Sequence, residues 1–172
     1  MYKNREISLI VAVDENDGIG FDGGLPWPTQ QEDMAWFKEK TENNIVIMGR
    51  KTKDGLPIFP LPNRDNFVIT STFDRNGEYF ATHNTTGQYI SLKTALETIL
   101  GWDYFNEKEI FIIGGAQLYK TAFDMDIVDK VWMTTIKGQY ECDTFFPTMP
   151  GRWDTMDMMQ SDSFTRILMA KA

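Results

Sequence analysis

Asp33 is the carboxylate with the most informative neighbours. It opens the run Asp33-Met-Ala-Trp-Phe37, in which helical spacing puts Asp33, Met34 and Phe37 on one face with Trp36 beside them. A carboxylate against such an apolar wall keeps its proton to higher pH than one in water and can manage protons near neutrality. The plainer alternative is that Glu32 and Asp33 complement a helix dipole in its first turn. Six residues upstream, Leu25-Pro-Trp27 closes a stretch with glycines at 18, 20, 23 and 24. The Trp27 indole can hold an ordered water near Asp33, and the Gly18 to Trp27 stretch reads either as a mobile lid or as an ordinary loop.

A second chemistry is anion binding. The apolar run Ile45-Val-Ile-Met48 is followed by Gly49-Arg50-Lys51-Thr52-Lys53, a cationic cluster in an acidic chain. At the carboxyl end of a strand, Arg50 and Lys51 can clamp a phosphate, although a solvated loop has the same composition. Thr70-Ser71-Thr72 follows another apolar run and offers hydroxyls to the same group. Ile110-Phe-Ile-Ile113 leads into Gly114-Gly115, where backbone N–H groups can approach a pyrophosphate, or where the chain simply turns tightly. Together these point to a dinucleotide with an extra phosphate, as in NADP. No G-x-G-x-x-G and no Walker lysine occurs, so the standard Rossmann and P-loop readings fail.

The remaining composition narrows the classes. One cysteine, Cys142, and one histidine, His83, leave no internal disulfide, no cysteine-rich zinc site and no paired-histidine metal motif. Cys142 has no histidine base nearby and reads as a reduced structural thiol, and His83 as a surface residue of a turn-rich segment. Seventeen Lys and Arg against 25 Asp and Glu give a net charge of −8, which repels a phosphate backbone, so nucleic acid is not an expected partner. Lys3 and Arg5 ahead of Ile7-Ser-Leu-Ile-Val-Ala-Val13 mimic a signal peptide, but Asp14-Glu-Asn-Asp17 follows without a cleavage site. No apolar run reaches the roughly 18 residues that cross a bilayer. The expectation is a cytoplasmic monomer with no membrane partner, folded as one domain over residues 1–172.

The elements that would position these groups alternate. Buried strands are expected at Ile7–Val13, Ile45–Met48 and Ile110–Ile113. Further strands are expected at Asn66–Thr70, Tyr79–Thr82, Lys130–Ile136, and as an antiparallel hairpin near Trp153–Met158 and Phe164–Ala170. Helices are expected from Gln30 to about Thr41, opened by a Thr29-Gln-Gln-Glu32 capping box, from Leu92 to Leu100 capped by Ser91, and from Gly115 to Phe123. Such alternation with a strand-rich end implies an α/β fold whose sheet is mostly parallel with antiparallel strands at one edge. Ligands in such sheets bind beyond the carboxyl ends of the strands, where the groups above lie.

The motifs in order are Ile7–Val13, Ile19-Gly20, Leu25-Pro-Trp27, Asp33-Met-Ala-Trp-Phe37, Val46-Ile-Met-Gly-Arg50 with Thr52, Leu61-Pro-Asn-Arg64, Ile112-Ile-Gly-Gly115 with Tyr119, Thr134, and Asp143-Thr-Phe-Phe-Pro147. In this series, which spans nearly the whole chain, the sequence resembles the dihydrofolate reductase family. The resemblance implies an eight-stranded, mainly parallel central sheet with an antiparallel C-terminal strand and flanking helices. It also implies NADPH-dependent reduction of 7,8-dihydrofolate to tetrahydrofolate, by hydride transfer to pterin C6 with protonation at N5.

By the resemblance Asp33 binds the pterin amino group and N3 and promotes protonation, with Thr134 and a water held by Trp27 completing the network. Ile10, Met34, Phe37, Leu56 and Ile113 wall the rings. The Ala12 and Ile113 backbones meet the ring edge, Tyr119 joins the substrate site, and Arg64 pairs with the glutamate tail. For the cofactor, Arg50, Lys51, Thr70, Ser71 and Thr72 surround the 2′-phosphate. Gly49, Thr52 and the turn Gly114, Gly115, Ala116, Gln117 and Leu118 hold the pyrophosphate. Ala12, Ile19 and Ile113 also bind the cofactor, and the Gly114-Gly115 peptide is expected to be cis. Lys53, Gln117 and Pro57-Ile-Phe-Pro60 depart from the family's common residues. The rival within the same fold is a reductase acting on a ribosylaminopyrimidine, against which Leu25-Pro-Trp27, Asp33 and Arg64 argue. The rival of another class is a nucleotide binder that has lost catalysis.

Overall fold

Branched apolar residues in short runs form strands because they pack well on a pleated surface, and runs apolar on both faces must lie inside a sheet. In a computed structural model, which describes residues 1–71 and 86–172, the strands are β1 (Ile7–Val13), β2 (Gly18–Gly20), β3 (Ile45–Gly49), β4 (Asp65–Ile69), β5 (Thr86–Tyr89), β6 (Ile110–Gly114), β7 (Lys130–Ile136), β8 (Thr144–Phe145), β9 (Trp153–Gln160) and β10 (Phe164–Lys171). The helices are α1 (Gln31–Thr41), α2 (Arg50–Gly55), α3 (Leu92–Gly101) and α4 (Ala116–Asp124), with a 3-10 turn at Asp103–Phe105.

Eight strands form one sheet in the order β5-β4-β3-β6-β1-β7-β10-β9. Every pairing from β5 across to β7 is parallel, and only β10 runs against its neighbours β7 and β9. The expected mainly parallel sheet and terminal hairpin are therefore present. β1 lies at the centre, with Ile7 and Leu9 fully buried beside Ile45, Ile47, Ile110, Ile112 and Val131. α3 closes one side of this core through Leu92, Ala95, Leu96 and Ile99. Ser91 caps it as expected, accepting from the Thr94 N–H at 3.2 Å while the Thr94 hydroxyl receives the Ser91 N–H, a complete capping box.

Three local expectations are corrected. Thr29 does not cap α1. The cap residue is Gln30, with no side-chain bond to the helix, because its amide donates back to the Pro28 carbonyl at 3.2 Å. The helix thus starts one residue later than a Thr29 cap requires, and Asp33 sits in its first turn. The Gly18–Trp27 stretch is not uniform loop. Its first three residues form β2 and pair with β8, and the Asp22 N–H donates to the Asp143 carboxylate at 3.0 Å. The cationic cluster after β3 is neither strand nor loop but the short helix α2. The strand expected at Tyr79–Thr82, together with His83 and Thr72, lies outside the described residues.

Candidate active site

The register of three adjacent strands sets the site. Ala12 of β1 pairs with Thr134 of β7, and Thr134 pairs with Arg166 of β10, so these three residues lie side by side across the sheet. Thr134 is 1% exposed and Arg166 5% exposed, which leaves their polar atoms to find partners within the protein. The Arg166 Nε donates to Thr134 Oγ1 at 3.0 Å, and its Nη2 donates to Asp33 Oδ1 at 2.8 Å. One guanidinium therefore joins a helix carboxylate to a strand hydroxyl.

This changes the expected setting of Asp33. Met34 is half exposed, and the immediate neighbour of the carboxylate is not an apolar wall but a cation. Trp36 lies beside Asp33 as expected, but its ring stacks on the Arg166 guanidinium, 3.8 Å from Cζ to the ring centroid, and packs against Trp132. The sequence motifs assign no role to Arg166. Its trace in the sequence is periodic, since a strand over Phe164–Ala170 puts Arg166 on the same face as Phe164, an inward position for a basic side chain.

Around this pair stand other expected residues. Trp27 is buried with Ile136 and Phe164, packed by Ala12 and by Tyr140, whose ring lies edge-on at 6.2 Å. Ile10 is buried on β1, Ile113 is half-buried near the end of β6, and Leu56 and Ile113 each pack against the cluster of Val46, Met48 and Val68. Phe37 is half-buried on α1, and its carbonyl accepts the Thr41 hydroxyl at 2.8 Å. Thr41 Oγ1 in turn accepts from Arg64 Nη1 at 3.2 Å, while Arg64 Nε donates to the Pro62 carbonyl at 2.8 Å. Arg64 is thus anchored at the far end of α1 from Asp33. Burial pulls its pKa down and Glu42 pushes it back up, yet a guanidinium stays charged. Tyr119 lies deeper than expected. It is 2% exposed, its hydroxyl donates to the Ile10 carbonyl at 2.8 Å, and burial pushes its pKa far up. Tyr119 therefore fixes the β1 backbone from below.

The second group of residues gathers at the carboxyl ends of β3, β4 and β6. Met48 pairs with Gly114, and Gly49 pairs with Ile69, which brings Gly49, Thr70 and Gly114 to one edge. The Gly114-Gly115 peptide is cis, as the resemblance implied. Gly114 has φ +139°, and a Cβ there would stand 3.0 Å from Thr52 Oγ1. Gly115 is the cap of α4, so the first-turn N–H groups of Ala116, Gln117 and Leu118 open beside Thr52. Arg50 and Lys51 start α2 directly after Gly49, with Arg50 paired to Asp54 at 3.4 Å and Lys51 exposed. Thr70 is buried and Ser71 exposed at the end of β4. Small residues, helix-start N–H groups, hydroxyls and two cations on one edge fit a phosphate-bearing dinucleotide. Ile19 of β2 is half-buried and packs against the main core. Cys142 stands apart: its thiol donates to Asp14 Oδ2 at 3.6 Å, and burial together with Asp14 pushes its pKa up, which favours the protonated thiol.

The model of the dihydrofolate reductase family matches residues 6–166. The chain is 40% identical over 141 residues to the dihydrofolate reductase of Bacillus subtilis, covering 82% of this chain and 75% of that protein. It is 38% identical over 153 residues to that of Aedes albopictus, with 83% and 80% covered. It is also 39% identical over 156 residues to the bifunctional dihydrofolate reductase-thymidylate synthase of Daucus carota, where the match covers 84% of this chain but 29% of that longer protein. With that edge, the buried Thr134 and the first-turn Asp33 falling inside the matched span, the chain belongs to the dihydrofolate reductase family.

Proposed function

We propose that this protein reduces 7,8-dihydrofolate to 5,6,7,8-tetrahydrofolate with NADPH. The observation that carries the reading is the meeting of Asp33 and Thr134 on one guanidinium, across the strands that lead toward the Gly114-Gly115 edge. When bound, NADPH supplies the hydride that pterin C6 receives. Asp33 accepts N–H groups from the pterin amino group and N3, and it promotes protonation at N5. Thr134 adds a hydroxyl to that network, and Trp27 holds a water in it. Asp33, Trp27 and Thr134 thus do the polar work, and Ile10, Ala12, Met34, Phe37, Leu56 and Ile113 line the ring and exclude bulk water from it. Arg64 takes the α-carboxylate of the glutamate tail with a bidentate fork.

On the cofactor side, Arg50, Lys51, Thr70 and Ser71 hold the 2′-phosphate, while Gly49, Thr52 and the turn from Gly114 through Gly115, Ala116, Gln117 and Leu118 hold the pyrophosphate. Ile19 and the backbones of Ala12 and Ile113 lie by the nicotinamide. The Gly18–Trp27 stretch covers it, steadied by the β2–β8 pairing. The protein works as a monomer.

The test is the loss of reduced-nicotinamide absorbance when purified protein receives NADPH and dihydrofolate, with NADH and no-folate controls. Folate-dependent oxidation that favours NADPH is expected. Binding of NADPH without oxidation would overturn the reading and leave either a same-fold reductase of another substrate or a nucleotide binder.

A further inference from the structure

Arg166 is a closely held cation. Three of its nitrogens have partners: Nε on Thr134, Nη2 on Asp33, and Nη1 against the Met159 sulfur at 3.9 Å. Its guanidinium carbon lies 3.8 Å from the Trp36 ring centroid and 4.7 Å from that of Phe164. Stacking on two rings and a register-fixed backbone leave the fork little freedom, so the positions of Asp33 and Thr134 are set before any ligand arrives.

We propose that Arg166 is a positioning residue that tunes the ligand-charge preference of this site, weakening its hold on a protonated diaminopyrimidine relative to a neutral aminopyrimidinone ring. The inference rests on the reading that Asp33 binds the pterin. Thr134 Oγ1 accepts from Arg166, so its own hydrogen is free to turn toward a ligand as a donor. Asp33 shares its charge with a guanidinium on Oδ1, so a ligand meets a carboxylate–guanidinium pair of no net charge rather than a lone anion. The carboxylate still accepts N–H groups from a neutral ring through hydrogen bonds. A ring that arrives with a positive charge gains less, because the attraction from Asp33 is offset by repulsion from Arg166 a few ångströms away.

The test compares two probes, dihydrofolate and a 2,4-diaminopyrimidine, titrated at neutral pH against the wild-type protein, Arg166→Gln and Arg166→Lys, all saturated with oxidised NADP so that no turnover consumes the probe. Arg166→Gln removes the charge and keeps an amide donor, and it should shift the affinity ratio toward the diaminopyrimidine by about tenfold or more. Arg166→Lys keeps the charge and should hold the ratio near the wild-type value, a rescue that mere repacking would not give. Should Arg166→Gln fail to fold, Arg166→Met, which fills the stem's volume, carries the same expectation. An unchanged ratio in a folded neutral variant, or equal shifts for Lys and Gln, overturns the proposal. Asp33→Asn separates the two layers of the argument. If it leaves both probes binding as in the wild type, the site reading itself fails, whatever Arg166 does.

Discussion

At the scale of single residues, Asp33 and Arg64 stand at opposite ends of α1 and should fail in different ways. Asp33→Asn keeps shape and removes charge, so turnover with dihydrofolate should fall by about two orders of magnitude or more at neutral pH. NADPH affinity should stay nearly intact, because its phosphates are held at another edge of the sheet. Steady-state kinetics with a fluorescence titration of NADPH checks both, and full activity would remove Asp33 from the chemistry. Arg64→Leu should chiefly raise KM for folates that carry the glutamate tail, by roughly tenfold, with kcat little changed. Because Arg64 also ties Thr41 to Pro62, thermal unfolding of the same variant shows whether the loss is structural. The residues that matter here were unevenly legible. Asp33, Trp27 and Thr134 stand in motifs, but the partner that binds two of these three is a lone arginine in an apolar strand. Its charge is explained only by side chains distant in the chain, which is why periodicity could place Arg166 inward without saying what it meets.

At the scale of elements, the boundaries of β1 and β7 follow from runs of branched apolar residues, and the capping box of α3 follows from Ser91. What escaped was short. β2 and β8 are three and two residues long, and they pair with each other rather than with the main sheet, so no periodicity develops in either. α2 is a six-residue helix of charged and polar residues with none buried, a pattern that a solvated loop shares. Two predictions belong here. Ser91→Ala removes the side-chain acceptor of the capping box and should lower stability by about 1 kcal/mol in urea unfolding, leaving NADPH oxidation unchanged. Gly114→Ala forces a side chain into φ +139° and against Thr52. It should cost about 1–3 kcal/mol and also weaken NADPH binding, since the same turn opens α4 toward the phosphates. Loss of stability with unchanged NADPH affinity would detach that turn from the cofactor.

At the scale of the whole molecule, Asp14 fastens distant segments and should govern how the protein meets acid. It is 1% exposed at the end of β1 and accepts N–H groups from Asn16 at 2.9 Å, Gly18 at 2.8 Å and Tyr140 at 2.9 Å. Burial pushes its pKa up, but the donors from Tyr140, Gly18 and Asn16 outweigh it and leave the carboxyl below its ordinary value. A group whose pKa is lower folded than unfolded contributes stability that is complete above the unfolded value, about 3.9, and is lost as pH falls through the folded value. Asp14→Asn should therefore be less stable than wild type at neutral pH, with the gap narrowing below about pH 4. Thermal unfolding followed across pH would show this, and a gap independent of pH would assign Asp14 a purely geometric role. A different consequence follows from the separation of Asp33 and Arg166 by 133 positions. During synthesis at roughly 5–20 residues per second, a newly made Asp33 waits about 7–27 s for its guanidinium. By the end of that interval the growing chain has completed β1, β3, β4 and β6, yet the carboxylate still lacks its cation. A ribosome stalled within β10 thus carries a nascent chain whose sheet can assemble while its pterin site cannot.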